Sequence, residues 1–133
     1  IAKLLRDSDR HSQARTAAVE VLGRLGKNVA PFTGEIAKLL DDSCWDVRSA
    51  AMEVLGRLGE HAAPCAGEIS KCLEDNEESV RWAAVKVLRE LGPRAAPFAA
   101  EVARRLEHPE EGVRWAVVQV LGGLGRDAAP VEG

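Results

Sequence analysis

Three stretches, DVRSAAMEVLGRLG (46–59), SVRWAAVKVLRELG (79–92) and GVRWAVVQVLGGLG (112–125), decide the fold. They are one sentence written three times, and ARTAAVEVLGRLG (14–26) is a fourth copy. Arg15, Arg48, Arg81 and Arg114 are each 33 apart (48 − 15, 81 − 48, 114 − 81). Gly26, Gly59, Gly92 and Gly125 keep the same step, as do Pro31, Pro64, Pro97 and Pro130. A fixed period of this size marks a stack of like supersecondary units.

Within the second copy, Val47, Ala50, Ala51, Val54, Leu55 and Leu58 fall three or four residues apart. That spacing puts them on one stripe of an α-helix. The glycine that follows suits the left-handed residue ending a helix. Working outward, each proline opens a further helix whose inner face reads Phe32, Ile36, Leu40, then Cys65, Ile69, Leu73, then Phe98, Val102, Leu106. Proline is tolerated there because a first-turn N–H has no intrahelical partner. The pattern predicts first-type helices near 1–6, 31–41, 64–74 and 97–107. Second-type helices are expected near 14–25, 46–58, 79–91 and 112–124, with Ser43, Asp46 and Asn76 as N-cap candidates. Neither helix of a pair buries its stripe alone, so the pairs must stack.

The expected fold is all-α, an α-solenoid of about four 33-residue helix pairs. It forms one array over residues 1–133, with units near 1–26, 27–59, 60–92 and 93–125, and 126–133 opening the next. Ile1 falls inside a first-type helix and neither end carries a polar cap, so the expectation is a piece of a longer array.

Composition narrows the function. Eighteen basic against 21 acidic side chains give a formal charge of −3. That balance speaks against a nucleic-acid partner, whose binding face is usually basic. No run approaches the roughly 18 apolar residues of a membrane span, so no membrane insertion is expected. Cys44, Cys65 and Cys72 are odd in number and lack CxxC spacing, which reads neither as a disulfide framework nor as a zinc site. They point to a reducing intracellular compartment. Cys65 stands in a core column, and Cys72, in the column of Leu39 and Arg105, is expected half-exposed. His11, His61 and His108 occupy different columns and read as loop residues. No metal, cofactor or catalytic group is expected.

The quoted segments, each after an acidic turn such as LDDS or LEDN, resemble the HEAT repeats, in the short form also found in phycobilisome lyase subunits. Ankyrin's TPLHxA is absent, and the tetratricopeptide pattern wants a tyrosine that this chain lacks. The resemblance implies a scaffold with a concave face lined by second helices, acting as an accessory subunit of a larger assembly. It also implies that Arg15, Arg48, Arg81 and Arg114 form a structural ladder with acidic turns, for which Asp41, Asp42, Glu74, Asp75 and Glu107 are candidates. The alternative it offers is a bilin lyase-like enzyme subunit or chromophore chaperone; the expected compartment is the cytoplasm, or a plastid if the lyase-type resemblance holds. HEAT-repeat hydroxylases carry His-Glu pairs for iron, which this sequence does not contain. HEAT-like DNA glycosylases need an acid near their tryptophans, where this chain has Lys86 and Gln119.

The candidate binding residues lie opposite the core stripe. One column there reads Thr16, Ser49, Trp82, Trp115 and the next Val19, Met52, Val85, Val118. Two tryptophans and a row of valine and methionine stand where a solvated helix face would be polar. Trp82, Trp115, Val85, Val118, Met52 and Val19 are expected to form an exposed strip rimmed by Lys86 and Arg89, binding a protein helix or peptide. Gly23, Gly56 and Gly122 on the same face would admit a close partner. The bland reading of the strip is inter-repeat packing. On the fold, the expected circular dichroism spectrum is that of helices alone; a substantial β component would refute the repeat reading.

Overall fold

The structure is a computed structural model, and it describes residues 12–128. Four long helices carry the repeated segments: α1 (Ser12–Arg24), α3 (Trp45–Leu58), α5 (Glu78–Leu91) and α7 (Glu111–Ala128). Three short ones alternate with them: α2 (Thr33–Lys38), α4 (Ala66–Lys71) and α6 (Ala99–Ala103). No strand occurs among the described residues. The fold is an all-α solenoid. The expected helix near 1–6 and the opening of a further unit after 128 lie outside the described residues.

The long helices match expectation closely, the short ones less so. Each proline-containing segment begins as 3-10 helix, at Gly26–Phe32, Gly59–Cys65 and Gly92–Phe98, becomes α-helical, and tightens again at Leu39–Asp41, Cys72–Glu74 and Arg104–Glu107. Pro31, Pro64 and Pro97 sit inside the opening 3-10 stretches. A proline there removes an N–H and crowds the preceding turn, so the α pattern begins only after it. Gly26, Gly59 and Gly92 have φ of 58°, 58° and 54°, where a Cβ would be strained. They end the long helices as predicted. Gly125 does not, for α7 runs through it to Ala128.

The expected N-caps are replaced. Cys44 and Glu77 hold the cap positions of α3 and α5 without a side-chain cap bond. The residue two places ahead of each cap supplies the acceptor instead. Asp42 Oδ2 accepts from Cys44 N at 2.9 Å and Asp75 Oδ1 from Glu77 N at 2.9 Å. These short carboxylates reach the N–H two residues on, as turn aspartates do. Ser43, Asp46 and Asn76 make no such bond.

The core is one continuous band. Val47, Ala51, Leu55, Ile69, Leu73, Val80 and Leu88 are all fully buried, and α1, α3, α5 and α7 pack one against the next. Leu40 and Leu73 are buried as expected, whereas Leu106 is exposed, because no later unit covers it among the described residues. The glycine column is part of this packing. A methyl group on Gly23 would stand 3.0 Å from Val54 Cγ2 and 3.1 Å from Arg57 Nη1; one on Gly56 would stand 3.3 Å from Val87 Cγ2. The expectation that these glycines admit an outside partner is therefore corrected for Gly23 and Gly56, since the helix they admit is the next one in the stack. At Gly122 nothing lies within 4 Å. Replacing Gly56 by Val is expected to destabilise the chain by about 1–3 kcal/mol through overpacking. Replacing Gly122 by Ala is expected to stabilise it by about 0.5–1 kcal/mol through helix propensity. Equal effects of the two changes in denaturant titrations would contradict this packing.

Candidate functional site

The expected ladder of four arginines on acidic turns is corrected to two: Arg15 and Arg48 pair with carboxylates, whereas among the described residues Arg81 and Arg114 bond only backbone carbonyls. Arg15 Nε lies 3.0 Å from Asp42 Oδ1. Arg48 grips Asp75 with two bonds, Nε to Oδ2 at 2.7 Å and Nη2 to Oδ1 at 2.9 Å. Both carboxylates stand 27 residues beyond their arginine, in the turn of the next unit. Arg48 and Arg81 also point Nη1 back into the turn of their own unit, to Asp42 O and Asp75 O respectively, both at 2.7 Å. The Arg48 rung thus ties one helix to two successive turns. The hydrogen bonds that Arg48 donates to Asp75 raise the Arg48 pKa above its ordinary value, against the opposing effect of burial. Of the candidate partners, Asp42 and Asp75 serve. Asp41, Glu74 and Glu107 do not pair with the ladder arginines.

The ladder changes at the third junction. The position 27 beyond Arg81 is 108 (81 + 27), and it holds histidine. His108 retains one of the aspartate's two roles. Its Nδ1 accepts from Glu110 N at 3.0 Å, as Asp42 and Asp75 accept from Cys44 and Glu77. An accepting Nδ1 carries no proton, and the ring offers Arg81 no anion. The His108 Nε2 instead faces Glu74 Oε1 at 3.5 Å, beside a tighter pair from Arg105 Nε to Glu74 Oε2 at 2.6 Å. The ionic contact at this junction has moved to the layer of short helices. Arg114 bonds His108 O at 2.7 Å and Pro109 O at 2.9 Å.

At this same junction lie the tryptophans. Trp82 and Trp115 are 48% and 49% exposed, and their ring centroids are 5.4 Å apart with a 33° tilt. Neighbouring packed helices stand about 8–10 Å apart, yet the rings lean together and touch. Beside them is a mainly apolar groove of about 710 Å³, lined by Glu78, Ser79, Arg81, Trp82, Glu111, Gly112 and Trp115. The Arg81 guanidinium lies over the backbone of Gly112, where an added methyl would stand only 2.7 Å from Nη2. Gly112 is thus the residue that gives Arg81 room to reach the groove.

The remaining strip does not form. Val19, Met52 and Val85 are all 0% exposed, while Val118 is 52% exposed. The physical reason is that a helix inside a stack is covered on both flanks as well as on its core stripe. The inter-repeat packing reading holds for those three residues. Val118 escapes because no further long helix lies against α7 among the described residues. Lys86 is exposed and borders a second groove with Trp82, Met52 and Glu53. Arg89 is exposed, but its stem lies across α7, with Cγ 3.1 Å from where a Gly123 methyl would be. The structure therefore brings together Trp82, Trp115 and Arg81, adds Glu78 and Glu111, and buries Val19, Met52 and Val85 beneath the surface they were expected to form.

This ladder-bound stack of helix pairs is the context for the family comparison. Models of HEAT repeats match residues 66–131 and a further HEAT repeat residues 34–62. The chain belongs to the HEAT-repeat family. No curated protein matches it.

The cysteines divide by environment. Burial, with Asp75 and Asp41 nearby, pushes the Cys72 thiol up to about 12, and burial with Glu68 nearby also raises Cys65. Cys72 is buried, not half-exposed as expected, and donates to Glu68 O at 3.7 Å. A raised thiol pKa leaves the group protonated at neutral pH, and the thiolate is the reactive form. Iodoacetamide at neutral pH is expected to modify the partly exposed Cys44 first and to spare Cys65 and Cys72 until the chain unfolds. Rapid alkylation of Cys72 in the folded protein, read by peptide mass spectrometry, would contradict this.

Proposed function

We propose that this HEAT-repeat chain is a non-catalytic interaction scaffold, an accessory subunit of a larger assembly, that binds a protein helix or peptide across its long helices. One observation carries the reading: two tryptophans in contact with each other each keep about half of their surface in solvent. Packing alone does not require this. Val19, Met52 and Val85 in the neighbouring column are driven to complete burial by the same stack, yet the larger rings keep half of their surface outside it. Tryptophan combines a large apolar area with an N–H donor and is enriched among residues that dominate binding energy. Val118 continues the apolar surface, and Lys86 and the exposed Glu78 and Glu111 rim it, an arrangement typical of interfaces with an apolar centre and polar margin.

The family membership supports the coarse form of this proposal, because HEAT repeats commonly mediate protein–protein interactions. The finer form rests on Trp82 and Trp115. Replacing either by Ala is expected to weaken binding of a partner recovered by cross-linking from the native source by about 2 kcal/mol or more, with a small change in melting temperature. A large loss of stability with unchanged affinity would show that the rings serve packing and that the partner binds elsewhere.

A further inference from the structure

The first two rungs of the ladder each close on a carboxylate supplied by the following unit, Asp42 for Arg15 and Asp75 for Arg48. The third does not. Arg81 donates from Nη1 to Asp75 O, and no carboxylate lies within ion-pair distance of it among the described residues. Its Nε and Nη2, the atoms that hold Asp75 in the Arg48 rung, have no partner among the described residues. Arg81 lines the groove beside Trp82 and Trp115. We infer that this groove recognises a partner segment through a single carboxylate that completes the third rung, set next to an apolar or aromatic side chain that packs on the two tryptophans. The inference rests on the binding face proposed above and adds the chemistry of what it takes.

Three features support it. A guanidinium whose Nε and Nη2 make no hydrogen bond among the described residues has two parallel donors that match a carboxylate, the geometry already formed at Arg48. The groove is walled by aromatic surface, which strengthens a charged hydrogen bond by excluding water. The absence of an internal competitor is built into the sequence at one position: His108 preserves the turn bond to Glu110 N but brings no negative charge. Glu78 and Glu111 open α5 and α7 at the rim, exposed and unpaired with Arg81. They repel a second negative charge and so select one carboxylate among apolar neighbours over a polyacidic tract.

The test uses three small probes on the intact chain: hydrocinnamate, its neutral amide, and phenethylamine. The indole N–H resonances of Trp82 and Trp115 report binding. Hydrocinnamate is expected to bind about tenfold more tightly than the amide, the scale of a charge-assisted hydrogen bond, and phenethylamine more weakly still. Arg81→Met should erase the preference for the acid. His108→Asp should erase it as well, by handing Arg81 an internal carboxylate, and should raise the melting temperature, which also shows that the variant is folded. His108→Asn keeps a turn acceptor without charge and should keep the preference. Equal binding of acid and amide, or a preference that survives His108→Asp, overturns the inference while leaving the tryptophan groove as a binding face. Preference for phenethylamine overturns it in favour of control by Glu78 and Glu111. Failure of all three probes to move the indole signals overturns both readings.

Discussion

Every long helix inside this stack has to satisfy neighbours on two flanks at once, and the rest of the structure follows from that constraint. A helix lying on a globular core buries one stripe. Here α3 meets its short partner along the stripe of Val47, Ala51 and Leu55, meets α1 on one side, and meets α5 on the other. The covered arc is correspondingly wide, and Met52 and Val85 disappear into it. The glycine column follows from the same demand, since the helices approach closely enough that a methyl group at Gly23 would press on Val54. So does the arginine ladder. Its position at the edge of the covered arc allows a guanidinium to span from its own turn to the next, tying units together by directional bonds where the apolar contacts are least able to fix orientation.

The repeats, their period, the long helices and the glycine stops are legible in the sequence because each rests on a strong local rule stated several times over. The short helices are less legible. Their apolar spacing is that of an α-helix, but a proline early in each imposes a 3-10 start that periodicity does not reveal. The N-caps are misplaced for a related reason: Asp42 and Asp75 act two residues upstream, and nothing in the strings DDS and EDN distinguishes a turn aspartate from a cap.

At the candidate site, the tryptophans emerge from asking which large apolar residues stand opposite the core. The same question wrongly collects Val19, Met52 and Val85, because a single-helix projection has no knowledge of flanking helices. The altered rung escapes the sequence reading, although its signal is present. Counting 27 residues from each arginine reads Asp, Asp, His, and the break falls at the junction that carries the tryptophan pair. His108 looks like an ordinary loop residue when its column is compared with other histidines and not with the aspartates it replaces.

The small residues between long helices also impose an order on the units. Gly23 faces Arg57 and Gly56 lies near Glu90, but at the next junction the arrangement reverses, with Arg89 lying on Gly123. Units two and three present a long side chain to the unit before them, whereas unit four presents a glycine. Unit three presents Arg89 to the unit after it, so the space it needs exists on unit four and would be occupied in a second copy of unit two or three. Units of nearly identical sequence are therefore not interchangeable modules. A recombination event that placed unit two after unit three would set Arg89 against Arg57, two like charges in the space that Gly123 leaves open. The array carries, in the alternation of glycine with long side chains, a record of the sequence in which its parts must follow one another.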